Sequence, residues 1–495
     1  MLADIQSFAL LVLLTAAVGL VAVLSSRLTH WVKIPSPALV LVGAAIAVQV
    51  VPALHAPPQQ AVERVVTVAL ACILFDGGLH IGWSRFRSAV VPIASAGVLG
   101  TFLTMAATAL LLHVALGVAW YVALLVATAI APTDPAMVFS VLGQREISGR
   151  SGTILEGESG ANDPVGIAFM TALIAVGGLS WEAFAKAGAE FGVQMAVGAA
   201  IGVAGGLGLL WFTRRVPLPS EGLYPLRSLA GALMIYGLAT LAHGSGFLAV
   251  FVAGIVLGDQ PAPFKREIER FHGALASLGE IVAFAVLGLT ISLSVLARAD
   301  VWVPGVIVGA AVAFVIRPLL VGLCLGPARL AGRERAFVLF AGLKGAVPIL
   351  LGSFLLSAHI PDAERYYEIV VVVVIFSVLV PGSLVPAAAR KLGIRMRTVE
   401  PQPWALGVRL QDEPSGVHRL TIKAGSPADG RTIGDLARLP GDAWVSFVVR
   451  DGQLVPIRED TVLRPGDDVL VLADPGLRGQ LATAFEGHPE ESAEG

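Results

Sequence analysis

WYVALLVATAIAPTDPAMVFSVLG, residues 120–143, is long and apolar enough to cross a bilayer, yet Pro132 and Pro135 stand near its middle. A membrane helix needs about 20 mostly apolar residues. Each proline removes a backbone donor and clashes with the preceding turn. Two so close together predict an unwound stretch around Thr133 and Asp134. Unwound backbone at membrane depth is tolerated only where it is buried in protein or lines a cavity. It exposes carbonyl oxygens and half-helix ends, from which many transporters build ion sites. A simple proline kink is the plainer reading, and the neighbouring Asp134 favours the ion-site one.

The rest of the chain supports a membrane setting. Of its 495 residues 56% are hydrophobic and 14% charged, and mean hydropathy is +0.79. Soluble domains carry about 25% charged residues. The charges are segregated, scarce up to about residue 390 and ordinary afterwards, which predicts a polytopic membrane protein with a soluble appendage. A formal net charge of -2 gives no sign of nucleic-acid binding. Cys72 and Cys324 lie in apolar runs, so neither a disulfide framework nor a metal cluster is indicated. The N-terminal MLADIQSFALLVLL has an acid where a signal peptide has basic residues, and reads as an uncleaved first helix.

About 13 segments have membrane length. They lie near 5–26, 36–54, 61–80, 88–115, 119–142, 150–176, 183–212, 226–243, 246–259, 271–297, 302–326, 333–357 and 366–389. Loops after odd-numbered segments carry the basic residues, among them Arg85, Arg87, Arg145, Arg214, Arg215, Lys265 and Arg333. Loops after even-numbered segments hold scattered cations with an acid nearby. Cytoplasmic loops are the basic ones, so the N-terminus is expected outside and the C-terminus in the cytoplasm.

Past residue 405 the pattern changes. VHRLTI, AWVSFVVR and DDVLVLAD read as strands separated by turns at Asp451-Gly452 and Arg464-Pro465-Gly466. RTIGDLARL and GLRGQLATAFE read as short helices, and HPEESAEG as a disordered tail. The expected organisation is a membrane domain over 1–397, a small α+β cytoplasmic domain over 398–487, and a tail over 488–495.

Ionisable residues within membrane helices are costly and mark function by default. Asp76, His113, Asp134, Glu156, Glu158, Asp163, His243, Glu280, Arg317 and Lys344 qualify. A second interrupted helix, GLKGAVPILLGSFLL, has Lys344 in its break. It lies seven segments after the first, so the two halves of the chain would be inverted repeats, each with one broken helix. In GESGANDPVG (157–166), Ser159 and Asp163 share a helix face at i, i+4 spacing. A hydroxyl and a carboxylate supply the oxygen ligands that hard cations favour. An Asp there can hold a cation or a proton in turn, which is the basis of antiport. Pro164 frees the carbonyl of Gly160 and lets the helix bend. Glu158 needs a cationic partner, Arg317 first and Lys344 second. Glu156 either feeds ions towards the site or is solvated.

The set ILFDGGLHIG, APTDPAMVFSVL, GESGANDPVGIAF, LGEIVAFAVLGL and GLKGAVPILLGSF resembles the cation:proton antiporter-1 family over residues 5–390. The forms GESGxNDP and GLKGAVPI look most like its NhaP/CvrA-type potassium/proton branch. GRTIGDL and VLRPGDDVLVLAD resemble the TrkA-C subdomain of regulators of potassium conductance. The resemblance implies a homodimer of 13-helix protomers in a bacterial plasma membrane, with crossed broken helices that move in an elevator-like cycle. It implies that Asn162 and Asp163 are the family's Asn-Asp pair, which goes with electroneutral one-for-one exchange. Asp163 is then the shared carrier, and Ser159, Thr133 and Asp134 lie at or beside the ion. Asp76 takes the place of an acid near it. The monovalent cation is expected at Asp163, Ser159 and Thr133, with potassium favoured over sodium. Glu158 and Arg317 match a buried ion pair, and Lys344 stands where the family has Arg. No cofactor is implied beyond a regulatory nucleotide, such as cyclic di-AMP, at the C-terminal domain.

Two readings from other classes compete. Gly157-Glu158-Ser159-Gly160 fits the GxSG pattern of rhomboid-like intramembrane proteases, with His243 as the base of a dyad. A potassium channel with a regulatory domain is the other, although no TVGYG-like filter is present. Neither accounts for the broken helices together with Asp134, Asp163 and Arg317. His113, His243 and His272 read as structural or interfacial rather than as proton relays.

Overall fold

A computed structural model describes residues 19–20, 35–50, 57–142, 145–147, 149–328, 330–398, 416–435, 443–450 and 453–487. The chain divides into two units, Met1–Trp404 and Ala405–Gly495. The boundary falls a few residues past the expected 397.

The first unit is helical, and its helices run in the expected order. They are α1 (Ser36–Val50), α2 (Gln59–Ala94), α3 (Thr101–Leu116), α4 (Trp120–Ile130), α5 (Pro135–Leu142), α6 (Arg150–Val176), α7 (Trp181–Arg215), α8 (Leu223–Leu241), α9 (Gly246–Gly258) and α10 (Lys265–Gly288). Then follow α11 (Leu293–Leu296), α12 (Ala299–Ala311), α13 (Arg317–Cys324), α14 (Gly332–Phe340), α15 (Ala346–Ser357), α16 (Ala363–Ser377) and α17 (Ser383–Leu392). Among the described residues, seven helical runs have the length and apolarity to cross a membrane, and α1, α9 and α15 are shorter apolar helices. The expected segment near 5–26 lies almost wholly outside the described residues.

The expected segments 61–80 and 88–115 form one helical run, sharply turned at Gly82 (φ 62°, ψ 169°). A side chain there would strike the Asp259 carboxylate, which takes the amide of Ser84 just past the turn. That carboxylate satisfies a donor left free where the helix restarts. Three π-turns, at Ser95–Gly100, Val312–Ile316 and Val378–Gly382, join helices end to end. They lie within predicted segments, but no feature of the sequence pattern had marked them.

Small residues bring the helices close. A Cβ on Gly78 would stand 2.3 Å from the Phe251 carbonyl oxygen, and one on Gly254 would stand 2.4 Å from that of Phe75. Backbone therefore meets backbone where α2 crosses α9, as small-residue interfaces allow in membranes. Gly206 and Gly202 do the same between α7 and α9. Gly78→Val is expected to destabilise the bundle by about 3 kcal/mol or more, since rigid backbone must move. Thermal unfolding in detergent measures this, and an unchanged midpoint would contradict the close crossing.

The loop after α5 forms a short strand, β1 (Arg145–Ile147), paired antiparallel with β2 (Met396–Thr398). Three-residue strands leave no readable alternation, so the sequence did not announce them.

The second unit is a four-stranded antiparallel sheet of β3 (Val417–Thr421), β4 (Trp444–Arg450), β5 (Gln453–Val455) and β6 (Asp468–Leu472), in the order β3-β6-β4-β5. Helix α18 (Arg478–Glu486) covers it, burying Leu481 and Phe485 against Leu420, Val448 and Val469. Arg450 grips the buried Asp467 through two bonds of 2.8 Å, and Asp467 also takes the Arg464 amide, fixing the Arg464-Pro465-Gly466 turn. The Asp451-Gly452 turn, the end of RTIGDLARL and the tail lie outside the described residues.

Candidate ion-binding site

Both breaks form where the prolines and glycines predicted. Helix structure stops after Ile130 and resumes at Pro135, and it stops after Phe340 and resumes at Ala346. The extended stretches touch, because the Asp134 amide donates to the Leu343 carbonyl at 2.8 Å. This crossing leaves half-helix ends inside the protein, where unpaired backbone groups are costly.

Side chains answer those ends with the appropriate charge. The Asp134 carboxylate accepts the Ala136 amide at 2.9 Å and has the amides of Met137 and Ala346 as electrostatic neighbours, so its charge serves the N-termini of both α5 and α15. Helix N-termini carry partial positive charge, which an anion stabilises. Gly345 makes this approach available, since a Cβ there would stand 1.8 Å from Asp134 Oδ2. Lys344 Nζ donates to the carbonyls of Ala131 (2.7 Å) and Pro132 (3.0 Å), at the C-terminal, partly negative end of α4. Its own amide donates to Ser377 Oγ at 3.0 Å.

Lys344 had been set beside Arg317 as a partner for Glu158, and the structure corrects this. Arg317 alone takes both Glu158 oxygens, at 2.6 and 3.1 Å, and the pair is almost fully buried. Its planar fork suits a carboxylate in two places at once, whereas Lys344 is held by the α4 carbonyls. The same guanidinium donates to the carbonyls of Leu339 (3.1 Å) and Val338 (3.3 Å), at the C-terminal end of α14. Arg317 thus does for α14 what Lys344 does for α4, with Glu158 added.

Helix α6 lies against this crossing and runs unbroken through Pro164. Asn162 Nδ2 donates to Thr133 Oγ1 at 2.8 Å, and its Oδ1 accepts the Thr133 amide at 3.4 Å. One amide side chain therefore ties the first break to α6. Asp163 Oδ2 accepts from Ser159 Oγ at 3.2 Å. Asp163 Oδ1 is closed off from solvent and has no partner among the described residues. Asp163 is 6% exposed and Thr133 5% exposed, with Asp134 and Lys344 as electrostatic neighbours of the carboxylate. A buried carboxylate with an unmatched oxygen is costly unless a proton or cation meets it.

Asp76 stands on α2, its Oδ2 3.4 Å from His80 Nδ1. Its Oδ1 is buried without a partner among the described residues and faces α10 near Gly273. Glu280, on α10, also has a buried oxygen without a partner among the described residues, and Asp134 is its electrostatic neighbour. No hydrogen bond or ion pair joins Asp76 to the Asp163 cluster among the described residues.

The protease reading fails on geometry, because Ser159 donates to Asp163 and His243 sits on an exposed turn after α8. His272 is buried, bonded to Ser228 at 2.8 Å and packed edge-on against Phe75. His113 bonds the Val118 carbonyl and stacks on Trp120. Sequence reasoning missed Glu368, wholly buried on α16. An acid directly before the run IVVVVVIFS was the signal.

Residues 13–391 match the family model described as the transmembrane part of the sodium/hydrogen exchanger, and residues 417–485 match the TrkA-C domain. The K(+)/H(+) antiporter NhaP of Alkalimonas amylolytica is 34% identical over 430 residues, covering 84% of this chain and 74% of the relative. The K(+)/H(+) antiporter NhaP2 of Shewanella oneidensis is 32% identical over 436 residues, covering 85% and 74%. The Na(+)/H(+) antiporter NhaH of Halobacillus aidingensis is 29% identical over 384 residues, covering 72% and 92%. Among solved structures, the sodium proton antiporter MjNhaP1 of Methanocaldococcus jannaschii superposes with a TM-score of 0.64 at 22% identity, over 77% of this chain and 99% of that one.

Proposed function

Because the chain belongs to the sodium/hydrogen exchanger family, and is a multi-pass membrane cation/proton antiporter rather than an enzyme, we propose that it exchanges potassium for protons at Asp163. The observation that carries this reading is the unmatched Oδ1 of a buried carboxylate whose other oxygen already holds the Ser159 hydroxyl. A proton on that carboxylate removes the charge that attracts a cation, and a bound cation displaces the proton. The two occupants exclude each other, so their alternation couples the two fluxes. One carboxylate carries one charge, which gives electroneutral one-for-one exchange. The cation's oxygen ligands are Asp163, Ser159 and the break around Thr133. Asn162 holds that break in place, and Asp134 and Lys344 neutralise the half-helix ends beside it. Asp76 guards the approach from α2.

Potassium is favoured because the NhaP and NhaP2 relatives named for it share 34% and 32% identity, against 29% for the relative named for sodium. Sodium/proton exchange on the same ligands is the second reading. The membrane domain works as a homodimer in a bacterial plasma membrane, N-terminus outside and C-terminus in the cytoplasm, through elevator-type alternating access. The TrkA-C domain binds a small regulatory ligand, with a cyclic dinucleotide as the first candidate.

Proton flux in proteoliposomes, driven in turn by potassium, rubidium, sodium and lithium, tests this. Potassium and rubidium are expected to drive flux that an imposed membrane potential leaves unchanged. Flux with sodium and lithium alone would overturn the potassium assignment, and a rate that follows the potential would overturn electroneutrality.

A further inference from the structure

Glu368 takes no part in the site described above, yet it is wholly buried. Its Oε1 accepts from the Ser292 amide at 2.6 Å, and its Oε2 is closed off from solvent with no partner among the described residues. The preceding residue, Tyr367, joins its hydroxyl to that of Thr290 at 2.6 Å. Two successive side chains at the start of α16 thus grip the turn that ends α10. A second tie lies at the same end of the bundle, since only a short loop separates α15 from α16. Gln59 Nε2 donates to the Ser353 carbonyl at 3.4 Å, and Ser357 donates to the Glu63 carboxylate.

These bonds connect two helix pairs. Helices α2 and α10 pack closely where Gly279 meets Ala69, and α15 and α16 pack where Gly352 meets Tyr367. Among the described residues, the hydrogen bonds joining one pair to the other cluster at this end, which is the outer end in the orientation proposed above. Helix α15 starts at the break that carries Lys344, so separating the pairs here opens a route towards Asp163. A permanent joint would be served better by apolar packing than by a carboxylate with one oxygen left over. A joint that opens gains from the carboxylate, because water reaches the second oxygen once the pairs part. The closed state gives up one bond and the open state recovers it, which brings the two states closer in free energy.

We propose that Glu368 is the positioning residue of an outer latch, which holds α10 to α16 while the site faces the cytoplasm and releases in every transport cycle. The inference rests on the alternating-access reading above.

The test uses the full chain with Cys72 and Cys324 replaced, carrying Glu63→Cys together with Ser357→Cys, in proteoliposomes. A short bifunctional thiol reagent bridges the two positions, and cation-driven proton flux is recorded before bridging, after it and after reduction. Bridging is expected to lower flux by about tenfold or more, and reduction to restore it, because the end can no longer open. Neither single-cysteine variant should respond. Separately, Glu368→Ala is expected to shift the half-saturating potassium concentration about threefold with a near-normal maximum rate. Glu368→Gln, which keeps an acceptor for the Ser292 amide, should lie near wild type. Undiminished flux in the bridged protein overturns the latch, even if Glu368→Ala fails to fold. An unchanged half-saturation in a folded Glu368→Ala protein overturns it too. Absence of flux in the unmodified protein would count against the transport reading instead.

Discussion

Asp163→Asn is expected to abolish cation-driven proton flux, with a loss of about a hundredfold or more, equivalent to roughly 2.7 kcal/mol or greater. The substitution keeps the shape and an oxygen to accept the Ser159 bond of 3.2 Å, but it removes the carboxylate proposed to trade a proton for a cation. The bundle should survive, because an amide costs less to bury than an unpaired carboxylate. In the absence of cation the variant should be at least as stable as wild type. The second signature is thermodynamic. A ligand that binds only the folded state stabilises it by about 2.7 kcal/mol at a hundred times its dissociation constant. Potassium should therefore raise the unfolding temperature of the wild type and leave that of Asp163→Asn unmoved. Vesicle flux and thermal unfolding in detergent measure the two effects. Substantial flux in a folded variant would falsify the assignment of Asp163 as carrier.

The electrostatics around that carboxylate explain why the breaks can exist at all. Four half-helix ends meet near the crossing, and each faces a group of suitable sign. Asp134 serves the starts of α5 and α15, Lys344 the end of α4, and Arg317 the end of α14. The same arrangement fixes the field at Asp163, whose electrostatic neighbours include Asp134 and Lys344. The field at the proposed carrier is therefore set largely by groups whose first task is to terminate helices.

The parts of this design that were legible in the sequence are those written in residue type. Pro132, Pro135 and the Gly342–Gly345 stretch gave both breaks, because proline and glycine act on the backbone wherever they stand. Ser159 and Asp163 could be paired because i, i+4 spacing survives folding. Arg317 could be offered to Glu158 because a buried charge requires compensation. The role of Lys344 was not legible, since its partners are the carbonyls of Ala131 and Pro132, which carry no residue letter. The double duty of Asp134 depends on the distant amide of Ala346 and on the open space at Gly345. Glu368 was passed over although it opens a valine-rich run within the last expected segment. Its partner, the Ser292 amide, exists only once α10 has ended beside α16.

Arg317→Ala is the substitution expected to cost most stability, about 3–5 kcal/mol, because it leaves Glu158 buried and unpaired. The carbonyls of Val338 and Leu339 lose their donors in the same step. Lys344 cannot replace them, since it is held by the α4 carbonyls. Arg317→Lys should recover only part of the loss, as a single ammonium cannot reach two carboxylate oxygens and two carbonyls in the guanidinium's fixed geometry. Gly342 packs so closely that a Cβ there would stand 1.9 Å from Arg317 Nε, so the cavity is shaped to the native side chain. Replacing both charges, as Glu158→Leu with Arg317→Met, should be less damaging than Arg317→Ala alone, because no unpaired charge remains. Unfolding midpoints of the single and double variants in detergent make the comparison. If Arg317→Ala unfolds at the wild-type temperature, or the double variant is the less stable, then the pair is not what holds α6 to the second broken helix. Exchange should be lost in the double variant even where stability returns, because the carbonyl end of α14 stays without its donors and the second break loses its fixed position beside Asp163.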